Sequence, residues 1–234
     1  YTHDMQAAAI KRITLLNDLR YAVKNNELFI EYQPIACFSN QKVMKAEALL
    51  RWQHPNKGRI TPDEFIPLAE ETGLIYDIGQ QILHKSCRDT AIAIASGKWG
   101  KDFTIHVNLS VDQLSESSFV DRVQSILSET KLSANNLTLE ITESRIVDND
   151  PMIIDNMLTL KALGVSIAID DFGTGYSSLA YLHKLPFDCL KIDRSFVSKL
   201  DKENLDSSIV AAIVNITKGF KVSIVAEGVE TQQQ

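Results

Sequence analysis

The chain has 234 residues, of which 44% are hydrophobic and 23% are charged, with 10 Gly and 6 Pro. This composition excludes a disordered, collagenous or fibrous protein and is typical of one globular domain around a single core. The formal net charge is −6, with 24 Lys and Arg against 30 Asp and Glu, and the basic residues are scattered. Duplex nucleic acid is therefore disfavoured as a partner.

The three cysteines, Cys37, Cys87 and Cys189, are widely spaced and form no CxxC pair. This spacing argues against a disulfide framework and a zinc-cysteine site, and it indicates a reducing, cytoplasmic setting. No apolar run approaches the roughly 20 residues that cross a bilayer, and the start at Tyr1 lacks the regions of a signal peptide. We expect an excised segment without membrane contact of its own, from a protein that other domains can anchor to a membrane.

The first predicted element is an amphipathic helix over residues 4–24, in which Leu15 and Leu19 lie four apart on one face. We interpret residues 1–24 as an entry helix or linker from a preceding domain and residues 25–234 as the main domain. The pattern then changes from the helical period to the alternation of a strand.

Period-two alternation predicts the first strand over residues 28–33, closed by Pro34, which cannot donate to a ladder. Six further strands alternate with helices. The strands are predicted over residues 43–52, 103–109, 137–141, 165–170, 189–192 and 223–226. The helices are predicted over residues 62–72, 76–96, 117–131, 151–163, 177–184 and 204–220.

This alternation, without a long polar linker, predicts a mainly parallel sheet in one α/β domain. The seven strands favour a TIM-like (β/α)8 barrel that is truncated before its eighth strand. A doubly wound sheet of six or seven strands is the alternative.

Polar side chains stand where the apolar strands end, and barrel strands tolerate such residues chiefly at their carboxyl ends. Each one alone is explained by a helix cap, a salt bridge or a solvated strand end. Together the carboxylates would repel one another, and burying one without a partner costs several kcal/mol, so they must be paired or bind a cation. The set is Asn108, Glu140, Asp170, Asp171, Lys191 and Glu227, with Glu47 inside a further apolar strand.

Oxygen-rich clusters of this kind suit Mg²⁺ or Mn²⁺. The five carboxylates contribute −5, Lys191 contributes +1 and two divalent cations contribute +4, which sum to zero. Adjacent Asp170 and Asp171 suit a metal pair, because one can bridge both ions while its neighbour turns out of the strand. Two such ions roughly 3.5–4 Å apart activate water and stabilise both oxygens of a phosphoryl displacement. The cluster therefore predicts a site for an anionic phosphodiester.

Eight short motifs occur in order along the chain, each at its expected strand or loop. They are YQP (32–34), EALLRW (47–52), PDEFIPLAEETGLI (62–75), NLS (108–110), EITES (140–144), DDFGTGYSSL (170–179), LKID (190–193) and AEGVE (226–230). Through them the chain resembles the EAL-domain cyclic di-GMP phosphodiesterases, from Leu19 to Gln234. In that family an eighth strand with a QGY motif follows the last of these motifs.

The resemblance implies a barrel that hydrolyses cyclic di-GMP to linear pGpG with two metal ions, Mg²⁺ or Mn²⁺. It also implies a homodimer and a neighbouring GGDEF or sensory domain. The implied ligands of one metal are Glu47, Asn108, Glu140 and Asp170, and those of the other are Asp170, Asp171 and Glu227. The implied catalytic residues are Lys191, which holds the attacking water, and Glu227. The implied substrate contacts are Gln33, Leu49 and Arg51, and the implied loop supports are Glu143, Thr174 and Glu230.

Two alternatives stay open beside this hypothesis. One is a receptor that binds cyclic di-GMP without hydrolysis, although such receptors usually lose metal ligands or alter the DDFGTG loop. The other is a metal-dependent barrel enzyme with another substrate, such as a lyase.

Overall fold

The computed structural model describes residues 3–25, 27–143, 150–173, 182–200, 204–232 and 234. The chain forms two compact units, Tyr1–Ile105 and His106–Gln234. None of the helices in these ranges is long and apolar enough to cross a membrane.

Within its described residues, the first unit combines a small antiparallel sheet with three helices. Its elements are α1 (His3–Asn25), β1 (Leu28–Ala36), β2 (Val43–His54), β3 (Gly58–Ile60), α2 (Pro62–Glu71) and α3 (Leu74–Ala95). Trp52 and Phe65 are fully buried, and their rings meet edge to face at 5.6 Å. Leu15 and Leu19 of α1 join the same core, as the predicted helical face requires.

The pairing of β1 with β2 corrects the expectation of a mainly parallel sheet in this part of the chain. The two strands run antiparallel, with Leu28 opposite Trp52 and Gln33 opposite Glu47. Only a short loop joins Ala36 to Val43, and parallel neighbours need a crossover of about a dozen residues or more. The short connection therefore forces a hairpin.

The predicted end of the first strand at Pro34 is also wrong. β1 continues to Ala36, and Pro34 lies opposite Ala46. Among the described strands β1 pairs with β2 alone, and a proline is tolerated in an edge strand, where a missing donor need not break a ladder.

The second unit is built around parallel strands. Its elements are β4 (Thr104–Leu109), which begins at the end of the first unit, then α4 (Val111–Leu114), α5 (Phe119–Thr130), β5 (Leu137–Thr142), α6 (Pro151–Ala162), β6 (Ser166–Phe172), β7 (Cys189–Ile192), α7 (Arg194–Val197), α8 (Asn204–Phe220) and β8 (Ser223–Ala226). Strands β5 to β8 pair in chain order, all parallel, and β4 lies beside β5. The parallel pairing predicted from the alternation holds in this unit.

Every predicted strand is present, and the predicted helices match except over residues 177–184. Residues 177–181 lie outside the described residues, and Leu182 is helical. The sequence patterns missed β3, α4 and α7, which have three or four residues each. Elements this short are below the roughly 11–18 residues over which helical periodicity is read and the roughly 4–8 residues needed for strand alternation, so periodicity cannot detect them.

Candidate functional site

The carboxyl edge of the parallel sheet in the second unit gathers most of the predicted polar residues. Glu140 lies in β5, Asp170 and Asp171 in β6 and Lys191 in β7, and Glu227 follows β8 directly. Because parallel strands end at the same edge, four separate segments deliver these side chains to one place.

Lys191 lies at the centre of this group. Its Nζ is 2.8 Å from Glu140, 3.1 Å from Asp170 and 2.7 Å from Glu227. The lysine is only 1% exposed, since all four residues of β7 are buried. A buried ammonium needs carboxylate partners, yet one positive charge faces three negative ones. The cluster therefore keeps an excess of negative charge that a cation would offset.

A bulge explains how two consecutive aspartates reach the same edge. Neighbouring strand residues normally face opposite sides of a sheet. Here the register of β6 against β7 shifts between Ile169 and Phe172, and Asp171 adopts a left-handed φ of 54°. The Asp171 N–H also donates to Asp170 Oδ1 at 2.9 Å. The bulge redirects one side chain, as bulges beside active sites do.

The donor set of this edge fits a divalent cation. One carboxylate oxygen from each of Asp170, Asp171 and Glu227 lies within 4.8 Å of the other two. Carboxylate oxygens are the ligands that Mg²⁺ and Mn²⁺ prefer. Asn108, the penultimate residue of β4, is exposed and can add an amide oxygen.

His106 supports the cluster from behind. Its Nδ1 lies 2.7 Å from Glu140 Oε1, while Lys191 bonds Glu140 Oε2, and the histidine is fully buried. Both oxygens of this carboxylate are therefore fixed by neighbours. His106 is not among the residues predicted from the sequence, because a lone histidine shows no metal-ligand spacing.

Glu143 holds the chain directly after the two aspartates. Its Oε2 accepts a hydrogen bond from the Gly173 N–H at 2.7 Å. Gly173 has a φ of 100°, and a Cβ there would lie 2.8 Å from the Phe196 ring. Glu143 thus contacts Gly173, and its role as a loop support stays a prediction. Thr174 lies outside the described residues, and Glu230 is exposed, with its N–H donating to Gln234 Oε1.

The first unit carries the remaining predicted residues on one face of its sheet. Alternation along β2 places Glu47, Leu49 and Arg51 on one side, and the register sets Gln33 opposite Glu47. We call this side the front face; it consists of Phe29, Glu31, Gln33, Glu47, Leu49, Arg51, Gln53 and Arg59. The other side packs on the helices through Trp52.

Two residues of the front face were missed by the sequence analysis. Glu31 forms a salt bridge with Arg51 at 2.8 Å and another with Arg59 at 2.5 Å. A signal for Glu31 was its position two residues before Gln33, on the same side of the strand. Arg59 gave no signal, because β3 itself was not predicted.

The chain is similar in sequence to known proteins along its length. A family model described as "EAL domain" matches residues 16–234. MucR of Pseudomonas aeruginosa, named as a bifunctional diguanylate cyclase/cyclic di-GMP phosphodiesterase, is 43% identical over 100% of this chain and 34% of its own length. NbdA of the same organism, named as a cyclic di-GMP phosphodiesterase, is 38% identical over 100% of this chain and 30% of its own. The chain thus spans about a third of the length of the curated relatives it matches.

A solved structure of the PaMucR phosphodiesterase in complex with c-di-GMP is similar in fold. The two chains are 44% identical and superpose with a TM-score of 0.88, over 94% of this chain and 88% of the other. The fold class predicted from the sequence, α/β of the TIM-like (β/α)8 type, is confirmed by this likeness and by the family match.

Proposed function

Since the chain belongs to the EAL domain family, we propose that it is a metal-dependent phosphodiesterase that hydrolyses cyclic di-GMP to linear pGpG. The observation that carries the proposal is the group of buried Glu140, Asp170 and Lys191 with partly buried Glu227, which has more carboxylates than one ammonium balances. The names of MucR and NbdA and the c-di-GMP complex of PaMucR support the choice of substrate.

We propose two bound cations, Mg²⁺ or Mn²⁺. The proposed ligands are Glu47, Asn108, Glu140 and Asp170 for one and Asp170, Asp171 and Glu227 for the other. The second set is supported by the short distances between its carboxylate oxygens. Glu47 is included in the first set because it belongs to the EALLRW motif. When bound, divalent cations of this kind lower the pKa of water and neutralise phosphate oxygens.

Lys191 and Glu227 are proposed to orient the attacking water. The ammonium carries N–H donors and the carboxylate only acceptors, and the two lie 2.7 Å apart. A water beside both can accept from Lys191 and donate to Glu227, which directs its remaining lone pair to phosphorus. The new bond joins the water oxygen to phosphorus, and the bond from phosphorus to the 3′ oxygen breaks. One water proton ends on that 3′ oxygen, and the other is released to solvent from the new 5′-phosphate.

Lys191 also offsets charge that grows on the phosphate oxygens as the bond forms. Glu140 and Asp170 hold the ammonium at 2.8 and 3.1 Å, so it need not reorganise during the reaction. A preorganised charge in a site shielded from water stabilises a transition state more than the same charge in solution.

Substrate binding is proposed for Gln33, Leu49 and Arg51 on the front face. An arginine can donate two parallel hydrogen bonds to a phosphate or to a guanine edge, and an amide can pair with either. Arg51 is largely buried, with 18% of its side chain exposed, which favours a fixed direction for its guanidinium.

The homodimer, the neighbouring GGDEF or sensory domain and a cytoplasmic location are proposed on the resemblance. The length of the relatives, about three times this chain, is compatible with neighbouring domains in those proteins. Sedimentation of the chain with and without cyclic di-GMP would test the dimer.

The function is tested by incubating the chain with cyclic di-GMP in Mn²⁺, in Mg²⁺ and in EDTA, with chromatographic detection of products. We expect pGpG with either metal and none in EDTA. Saturable binding without product under all three conditions would instead establish the receptor.

A further inference from the structure

Beside the residues already assigned, the front face carries a second arginine and an acid with no role in the proposed reaction. Arg59 of β3 lies opposite Gln53, which is two residues from Arg51 along β2. Glu31 lies opposite Leu49 and two residues before Gln33. Strand alternation therefore places Arg59 and Glu31 among the proposed substrate contacts.

One carboxylate oxygen holds both arginines. Glu31 Oε2 accepts from Arg51 Nε at 2.8 Å and from Arg59 Nη2 at 2.5 Å. Arg51 Nη1 also donates to the carbonyl oxygen of Leu50 at 3.0 Å. Two guanidinium groups thus stand side by side with a net charge of +1 over the three side chains.

This arrangement is suited to an anion. A guanidinium has five N–H donors, and the three bonds use two of those on Arg51 and one on Arg59. Like charges at such proximity repel, so without the carboxylate the two side chains would separate. A guanidinium group can donate paired hydrogen bonds to a phosphate, and Glu31 holds two such groups side by side.

We propose that Arg59 is a second arginine that binds a phosphodiester group of the cyclic dinucleotide, and that Glu31 is a positioning residue for both guanidinium groups. The inference rests on the proposed function and adds a specificity determinant to it. Half of the Arg59 side chain is exposed, at 51%, so a ligand can reach it.

The test is steady-state kinetics with cyclic di-GMP and Mn²⁺ on the wild-type chain, Arg59→Ala and Arg59→Lys. We expect Arg59→Ala to raise KM about tenfold, the value of one exposed charge-assisted hydrogen bond, with kcat within about twofold. Arg59→Lys keeps the positive charge but lacks the planar guanidinium group, so its KM should lie between those of wild type and Arg59→Ala. Arg20→Ala, on an exposed face of α1, is the matched control and should leave both constants unchanged.

Glu31→Ala separates positioning from simple charge. Removing a negative charge would by electrostatics alone strengthen anion binding and lower KM. We expect KM to rise about threefold to tenfold instead, because the guanidinium groups lose their orientation. Thermal unfolding of each variant shows that the changes are not caused by a loss of folded protein.

Each remaining outcome contradicts one statement. Wild-type turnover with the same KM in Arg59→Ala would overturn the role of Arg59 and leave the proposed function standing. A lower KM in Glu31→Ala would overturn the positioning role. A folded wild-type chain without turnover would overturn the proposed function and this inference together.

Discussion

The proposed residues form two groups whose charged side chains differ in solvent exposure. In the second unit Lys191 is 1% exposed and contacts three carboxylates, whereas in the first unit Glu31 and Arg59 are about half exposed and pair at the surface. Buried charges are costly unless they are balanced, while exposed pairs contribute about 0–1 kcal/mol. This contrast in exposure accompanies the two proposed roles, chemistry at the buried group and anion binding at the exposed group.

The largest effect is expected from removing the buried ammonium of Lys191. Lys191→Met leaves Glu140 and Asp170 buried without their ammonium, and we expect the free energy of unfolding to fall by about 3–5 kcal/mol in EDTA. Urea denaturation measures it. Lys161→Met is the matched control, because Lys161 pairs with Asp188 at 2.6 Å but keeps 31% of its side chain exposed; its loss should be below about 1 kcal/mol. Equal losses in the two variants would show that burial does not distinguish the pairs.

The support behind the cluster can be tested through metal affinity. His106→Gln removes the ring nitrogen that lies 2.7 Å from Glu140, and this carboxylate then loses one fixed direction. Partners of metal ligands typically contribute 10–100-fold to affinity, so we expect Mn²⁺ binding to weaken by about that factor. Calorimetric titration with Mn²⁺ alone measures it without substrate. An unchanged Mn²⁺ affinity would show that His106 does not support metal binding.

The close packing after the aspartates predicts a smaller loss of stability. In Gly173→Ala the new Cβ would lie 2.8 Å from Phe196 at a φ of 100°, and we expect a destabilisation of about 1–3 kcal/mol. Gly97→Ala is the control, since Gly97 also has a positive φ of 73° but open space around its Cβ. A loss no greater than that of the control would show that Phe196 yields without cost.

The smallest expected effect is the pH dependence of the stability that the exposed Glu31 contributes. Hydrogen bonds from Arg59, and then from Arg51, hold the pKa of Glu31 below its usual 4.5. The unfolded chain therefore binds a proton at a higher pH than the folded chain does. The stability from Glu31 is fully present above about pH 4.5 and is lost as the pH falls through the lower, folded pKa.

Urea midpoints of wild type and Glu31→Gln, measured from about pH 7 to about pH 3, check this sign. The difference between the two urea midpoints should decrease only in the acidic part of the range, and it should be smaller in high salt. A difference that grows on acidification would contradict the assigned direction.

The sequence predicted the strands and their polar ends because apolar runs and their boundaries are local. It also predicted that Asp170 and Asp171 act as a pair. It could not predict the bulge that delivers both side chains, since a left-handed residue such as Asp171 leaves no trace in hydrophobic periodicity.

Contacts between residues on different strands could not be predicted from the sequence either. The bond from Glu31 to Arg59 depends on the register of three strands, one of which has three residues. Likewise, the three partners of Lys191 follow from how β5, β6 and β8 align with β7, which is a property of the folded sheet.

Hydrolysis at the cluster around Lys191 is tested most directly by chromatography of cyclic di-GMP incubated with Mn²⁺ and wild type, Asp170→Asn or Asp188→Asn. Asp170 belongs to the proposed metal cluster, whereas Asp188 of the same unit pairs with Lys161. We expect pGpG from wild type and from Asp188→Asn, and none from Asp170→Asn. Equal amounts of pGpG from wild type and Asp170→Asn would contradict hydrolysis at this cluster.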